Sequence, residues 1–242
     1  MKLVALLVAV LAPAAALAGP PYVTDDPEPV ATGHWELYLA TQDGGAPGGA
    51  AGGTAPHVEV NYGAAPGLQL HAIVPLAWSH TPGSRTEVGL GDIELGAKWR
   101  FVEEGDRRPM VGVFPLVELP TGSEARGLGE GRLRVFLPLW LQKSFGPWST
   151  YGGGGWWVET GSPHRAWWLL GWQAQRRVAG WASVGAELFY ETAPDAASRA
   201  SLRFDLGAVL DLTELHHLLL SGGHNLAGEA GWQGYAAYLL TL

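Results

Sequence analysis

Charged side chains alternate with apolar ones in one short segment, in a pattern that could select solutes by charge. The charged positions are Asp92, Glu94, Lys98 and Arg100. In a β-strand they would share one face, because successive side chains point in opposite directions. A strand with one ionic and one oily face suits the wall of a membrane barrel, where lumen charges tune selectivity. The alternative is that these charges pair across neighbouring strands and fill the interior.

The same pattern marks further charges in the middle of other alternating segments. Glu118, Arg134, Glu187, Arg203 and Asp205 complete the predicted set of lumen residues. Mid-strand charges of this kind suit a wet lumen better than the exterior of a soluble β-sandwich.

Three carboxylates, Asp25, Asp26 and Glu28, precede the first predicted strand. Carboxylates attract hard cations such as calcium, but the spacing of a calcium loop is missing, so we predict neither a metal site nor a cofactor. Short acidic, Pro-rich segments of this kind are more often solvated, so one reading of residues 19–33 is a solvated periplasmic leader. The alternative hypothesis is that this leader folds into the barrel mouth as a partial plug. The lumen cations that could pair with its carboxylates are Lys98, Arg100 and Arg134.

Alternation of this kind recurs in segments of about ten residues, the length that a tilted strand needs to cross a bilayer. The predicted strands are His34–Thr41, His57–Ala64, Leu68–His80, Gly89–Phe101, Met110–Pro120, Leu133–Phe145, Ser149–Thr160, Ala166–Val178, Ala182–Thr192, Ser201–Leu212, His216–Leu226 and Glu229–Leu242. The sequence therefore predicts an all-β fold, a single antiparallel transmembrane barrel of about twelve strands over residues 34–242. A soluble sandwich or lipocalin-like barrel is the alternative, since its strands also alternate.

Connections and aromatic residues support the membrane assignment. Tight turns alternate with longer loops, such as Asp43–Pro56, as expected for periplasmic and outer ends. Aromatic residues toward strand ends predict belts at the two water interfaces. These residues are Trp35, Trp78, Trp99, Trp140, Tyr190 and Trp232.

Composition excludes several classes of protein. After the first twenty residues no apolar run reaches the length of a helical membrane span. With no cysteine, the chain forms neither disulfides nor thiolate sites. The net charge of −8 without a basic run argues against nucleic-acid binding.

The two ends of the chain predict export and membrane insertion. Lys2, the apolar core Leu3–Leu11 and the small-x-small motif Ala16-Leu17-Ala18 predict a signal peptide over residues 1–18, with a retained membrane anchor as the alternative. The final segment places Tyr238 and Leu242 on one apolar face. Such an ending resembles the signal read by the barrel-assembly machinery, although Leu242 replaces the usual Phe.

Two patches carry a resemblance to the outer-membrane transporters of the phenol-degradation meta-pathway type. One is Pro21–Val30 followed by Gly33–Leu37, and the other is Gly89–Trp99. The resemblance implies a bacterial outer-membrane barrel that passes small molecules, hydrophobic or aromatic ones among them. It brings no catalytic residues.

Three functions remain open on the sequence: a channel for small-molecule solutes surrounded by outer-membrane lipid, a closed structural or adhesive barrel, and a lipid hydrolase. Hydrolysis would need a His beside a nucleophile. His217 and Ser221 would share a strand face but lie about 13 Å apart, and Gly-x-Ser-x-Gly is missing. We predict a channel and not an enzyme.

Overall fold

The computed structural model describes residues 21–159, 166–194 and 198–242. Within these residues the chain forms the strands β1 (Trp35–Gly45), β2 (Ala51–Ala65), β3 (Leu68–His80), β4 (Glu87–Leu90), β5 (Ile93–Val102), β6 (Met110–Val113), β7 (Leu116–Leu119), β8 (Arg134–Phe145), β9 (Trp148–Glu159), β10 (Trp167–Ala179), β11 (Ala182–Glu191), β12 (Ser201–Asp211), β13 (His216–Ala227) and β14 (Trp232–Thr241). The predicted signal peptide, residues 1–18, lies outside them.

The strands close into a barrel. All strand pairs are antiparallel, and β1 pairs with β14 from Glu36↔Thr241 to Gly45↔Trp232, which closes the sheet. The segments β4 and β5 both pair with β3, while β6 and β7 both pair with β8. Each of these two pairs is one interrupted crossing strand, so the barrel has twelve crossing strands. The predicted antiparallel barrel is confirmed.

Prolines explain one of the interruptions. Phe114 and Pro115 separate β6 from β7, and Pro138 lies nearby on β8. Since proline has no N–H to donate, neither Pro115 nor Pro138 can donate a backbone hydrogen bond to a neighbouring strand at this break. At the other interruption the Gly91 amide still donates to the Pro75 carbonyl at 3.0 Å, so the wall continues across the break.

The alternation sorts side chains between lumen and exterior as the sequence predicts. Lys98 is 4% exposed and the next residue, Trp99, is 53% exposed. On β12, Asp205 is 2% exposed, whereas its neighbour Leu206 is 61% exposed. An apolar outer surface around a polar interior is the arrangement that a bilayer requires of a barrel. It agrees with the predicted outer-membrane location.

Most of the predicted interface aromatics lie on the exterior, toward the two ends. Trp35 and Trp99 lie near the tight turns, while Tyr190 and Trp232 lie near the opposite rim. The prediction for Trp140 is wrong: its side chain is 1% exposed and points into the lumen. It packs there because an occupied interior can bury a large ring.

The loops also depart from the prediction at one place. Residues 43–56 were expected to form a long loop, but β1 extends to Gly45 and β2 begins at Ala51. The tight turns, the start of β1 and the end of β14 share one end of the barrel, which we call the short-turn end. Residues 103–109 form the longest connection at this end. In the described part of the chain, no helix is long and apolar enough to span a bilayer.

Two apolar clusters line the lumen on opposite sides, as the strand order requires. One contains Phe114, Phe136, Trp140, Trp157 and Leu169, from β8 to β10 and the β6–β7 break. The other contains Tyr38, Ala40, Val209, Leu219, Ala237 and Leu239, from β12 to β14 and β1. Polar side chains fill the walls between the clusters.

Candidate functional site

The described part of the leader is residues 21–33: residues 21–30 lie inside the barrel, and residues 31–33 are exposed where the leader leaves the lumen. The leader joins β1 at the short-turn end, where Gly33 has a φ of 83° and its amide donates to the Gly63 carbonyl at 2.7 Å. A Cβ at Gly63 would lie 2.0 Å from the Ala31 carbonyl oxygen. Only glycine lets the leader pass this close to the wall.

Glu187 on β11 holds the first part of the leader. Its two carboxylate oxygens each accept a hydrogen bond at 2.8 Å, one from the Val23 amide and one from the Thr24 amide. The Glu187 side chain is 2% exposed. Ser221 on β13 donates from its hydroxyl to the Pro21 carbonyl. Hydrogen bonds to a charged acceptor are the stronger kind, so Glu187 is the main anchor of this segment.

Lys98 on β5 pairs with two leader carboxylates. Its Nζ lies 3.0 Å from Asp25 Oδ1 and 3.7 Å from Asp26 Oδ2. Burial raises the pKa of the fully buried Asp26 carboxyl, and the Lys98 ammonium opposes that rise. A buried cation with carboxylates around it avoids the cost of an unpaired charge.

Two glutamines hold the second part of the leader. Gln69 on β3 accepts from the Val30 amide at 2.9 Å, and Gln142 on β8 donates to Glu28 Oε2 at 3.1 Å. Burial raises the pKa of Glu28, while the Gln142 hydrogen bond lowers it. The leader is thus held by wall groups from β3, β5, β8, β11 and β13.

Glycines on the inner wall leave room for the leader. A Cβ at Gly171 would lie 2.0 Å from the Thr24 hydroxyl, and one at Gly207 would lie 2.8 Å from the Tyr22 ring. Gly207 pairs with Gly185, whose Cβ would also meet Tyr22. The shape of the wall therefore matches the leader.

Most of the other predicted lumen residues form ion pairs or hydrogen bonds with other side chains of the inner wall. Glu94 accepts from His71 Nε2 at 2.9 Å if that nitrogen carries the proton. Glu118 pairs with Arg134. The remaining pairs are Arg203 with Glu191 at 3.2 Å and Asp205 with Gln233 at 2.8 Å.

Two predicted lumen residues have other surroundings. Asp92 accepts from the Gly122 and Glu130 amides at 2.8 and 2.6 Å, so it fixes the 120–133 loop rather than facing an open passage. Arg100 lies 3.6 Å from Glu103 at the short-turn end. Neither Arg100 nor Arg134 forms an ion pair with a leader carboxylate, so Lys98 alone of the three proposed cations pairs with them among the described residues.

Cavities lie on both sides of the leader. One of about 800 Å³ at the short-turn end is lined by Glu28 to Ala31 and by Arg177, Asp211 and His217. One of about 300 Å³ in mid-lumen is lined by Tyr22, Asp25, Glu59 and His71. A third, of about 530 Å³, lies toward the long loops beside Trp78 and Glu118. Leader residues line the first two, so the leader separates them.

Sequence reasoning missed Gln69, Gln142 and the inner glycines. The alternation does place both glutamines on the inner face, but a neutral amide gives no signal of its own. His217 and Ser221 do not pair with each other: His217 Nδ1 lies 2.9 Å from Asp211, and Ser221 donates to Pro21. Within the described residues no three His, Asp or Glu side chains are arranged to hold a metal ion.

No protein-family model matches the sequence, and no curated protein matches it. Among solved structures, the chain superposes on the COG4313 outer membrane channel from Pseudomonas putida F1 with a TM-score of 0.72 and 19% identity, over 90% of this chain and 98% of that one. The KdgM porin in complex with disordered oligogalacturonate gives 0.59 and 10% identity, over 86% and 98%. The translocator domain of the autotransporter NalP from Neisseria meningitidis gives 0.52 and 15%, over 86% and 88%. The chain therefore has the fold of bacterial outer-membrane β-barrels.

Proposed function

We propose that the protein is an outer-membrane channel for small molecules and that the leader is its removable plug. The observation that carries the proposal is the leader itself. It lies between a cavity open at the short-turn end and a mid-lumen cavity, and hydrogen bonds and ion pairs hold it there. Contacts of this kind can break without unfolding the wall, because the strand ladders do not include the leader.

The size of the barrel supports a passage. Side chains alone fill the interior of a barrel of about eight strands. Twelve strands enclose more space, and here the leader takes up much of the difference. Without the leader, the cavities on its two sides would join. The fold shared with an outer membrane channel and with a porin is consistent with this function.

The wall chemistry favours small solutes that carry an apolar or aromatic ring. Val23 of the leader packs against the apolar cluster that contains Phe114 and Trp140, so this cluster is uncovered when the leader moves. A solute ring could take the place of Val23 on Trp157 or Phe136. The resemblance to transporters of the phenol-degradation type points to the same class of solute.

Carboxylates outnumber cations around the mid-lumen cavity, which disfavours anions. The charged lining residues are Asp25, Glu59, Glu191, Asp205 and Arg203. We therefore expect neutral or cationic solutes to pass more readily than anionic ones.

Planar-bilayer recording tests the function. Refolded protein lacking residues 21–30 should show larger and longer-lived conductance steps than the full chain, and it should admit small phenols into liposomes faster. Equal conductance of the two proteins would refute the plug. If neither protein conducts or admits solute, the barrel is closed and structural. Heat-modifiable gel mobility controls for folding of both proteins.

A further inference from the structure

Two basic side chains face outward from the barrel wall, where a membrane protein normally presents apolar residues. Arg176 on β10 is exposed between the exposed Ala174 and Val178, and its neighbour Gln175 is buried. Lys143 on β8 lies between the buried Gln142 and the exposed Phe145 in the same alternation. Among the described strand residues no other Lys or Arg faces outward. Because outward charge is unfavourable in hydrocarbon, these two positions need an explanation.

Both side chains lie beside the same strand, β9. Arg176 is directly opposite Trp148 in the β9–β10 pairing, and Trp148 is opposite Phe145 in the β8–β9 pairing. Lys143 is opposite Thr150, in the next outward row. Adjacent strands are about 4.8 Å apart and the two positions differ by two residues along the strands, so the two basic residues are separated by about 12 Å of wall.

Each cation lies on an aromatic ring. The guanidinium carbon of Arg176 is 5.5 Å from the centre of the Trp148 ring, and Lys143 Nζ is 5.5 Å from the centre of the Phe145 ring. Such contacts hold a cation in place through its attraction to the ring face. Trp148 and Phe145 begin and end their strands at the short-turn end, where interface aromatics are found.

The patch lies close to the short-turn end of the wall, the part of a membrane barrel that lipid headgroups surround. Arg176 is three residues before the end of β10 at Ala179, which corresponds to about 7 Å of barrel height for a tilted strand. At that depth the phosphates of the surrounding leaflet are within reach of a long basic side chain. On the side of the patch that faces the bilayer centre, the exposed Trp172 and Ala174 offer an apolar surface for an acyl chain.

The two cations differ in their existing partners. Lys143 Nζ donates to Glu104 Oε1 at 2.7 Å and to the Gly105 carbonyl at 3.0 Å. Arg176 has no carboxylate within ion-pair distance among the described residues. Its guanidinium therefore keeps its donors for a ligand, and the planar fork of arginine matches the oxygens of a phosphate.

We propose that Arg176, supported by Trp148 and with Lys143 as a second charge, binds the phosphate of a phospholipid headgroup on the outer wall at the short-turn end. The leaflet at that end is the periplasmic one in outer-membrane barrels, whose phospholipids carry the required group. The site does not depend on whether the lumen conducts.

Native mass spectrometry of the folded full chain tests the site. Dioleoylphosphatidylglycerol is added to the wild type, to Arg176→Gln and to Arg85→Gln, which removes the same charge from a loop at the opposite end. One basic residue near a membrane surface changes lipid binding by about fivefold. We expect R176Q to lower the bound fraction by that factor and R85Q to leave it unchanged. Dioleoylglycerol, which has no phosphate, should not distinguish the three proteins.

An uncharged side chain suits an outward position, so R176Q should fold, and gel mobility verifies this. Trp148→Leu removes the ring under the guanidinium and should cause a smaller loss of the same kind. Equal binding by R176Q and wild type would overturn the proposal. An equal loss in R85Q would also overturn it, since binding would then follow overall charge. If soluble glycerol 3-phosphate competes as well as the lipid does, the site binds free anions instead.

Discussion

Replacing Lys98 by methionine should release the leader from the lumen. Lys98 is the cation that faces both Asp25 and Asp26, and in Lys98→Met these leader carboxylates remain in the lumen without it. Removing one partner of a buried ion pair costs about 3–5 kcal/mol. The Asp25 side chain is 21% exposed, so we take the lower end, about 3 kcal/mol. Since every 1.4 kcal/mol is a factor of ten, the bound leader should lose about a hundredfold in population relative to the released leader.

Cysteine labelling measures this shift directly. The chain has no cysteine, so Thr24→Cys introduces a single thiol at a fully buried leader position. A membrane-impermeant maleimide should label it slowly in the otherwise wild-type protein and up to about a hundredfold faster with K98M, because labelling requires release. Single-channel recording should show a matching gain in open time.

Lys143→Met is the matched control, because Lys143 also forms a close ion pair but lies outside the lumen. It should leave labelling of Thr24→Cys unchanged. If K98M folds and the thiol is still labelled at the slow rate, the ion pair does not hold the leader and the reasoning is wrong. Adding Asp25→Asn and Asp26→Asn to K98M should recover part of the slow labelling, since no carboxylate is then left unpaired.

Three further outcomes follow from the structure. Gly207→Ala places a methyl group against the Tyr22 ring at 2.8 Å; it should weaken leader binding by about 1–3 kcal/mol, seen as faster labelling at Thr24→Cys, and Tyr22→Leu should reverse the effect. Trp140→Ala should lower the free energy of unfolding in urea by about 3–5 kcal/mol, because it empties a buried site, whereas the exposed Trp181→Ala should lower it less. Partial burial raises the pKa of Glu104, but the hydrogen bonds from Lys143 and Ser144 lower it by more, so the net pKa lies below the ordinary value. The loop 103–109 should therefore lose protection from hydrogen exchange as pH falls below the ordinary glutamate pKa of about 4.3. Glu104→Gln should remove this pH dependence.

The fold could be predicted from the sequence because the two faces of each strand meet opposite environments. Where a charged residue is followed by an apolar one, as at Lys98 and Trp99, only one assignment of the two strand faces to lumen and exterior is favourable. Repetition of this pattern along the chain predicts a barrel. Strand bounds were harder to predict in glycine-rich segments. Gly44 and Gly45 pair with Gly52 and Ala51 in β1 and β2, although their composition suggests a loop, because ladder hydrogen bonds need no side chain.

The arrangement inside the lumen could be predicted only in part. The attraction of leader carboxylates to Lys98 follows from charge, and the structure places those groups together. The roles of Gln69 and Gly207 depend on the path of the leader, which no local pattern encodes. The error over Trp140 has the same origin, since an aromatic ring on the inner face is unfavourable only if water occupies the space beside it.

The covalent link at Gly33 makes the leader a permanent competitor for its own binding site. A segment of this length on a short tether has an effective concentration in the millimolar range. A solute that binds the same wall groups competes through the ratio of its concentration to its dissociation constant. It displaces the leader only when that ratio exceeds the ratio of the effective concentration of the leader to the dissociation constant of the leader. By the same reasoning, a free peptide with the sequence of residues 21–33 should close a leader-deleted barrel only at about millimolar concentration. The tether thus sets a threshold that does not depend on how many copies of the protein the membrane holds.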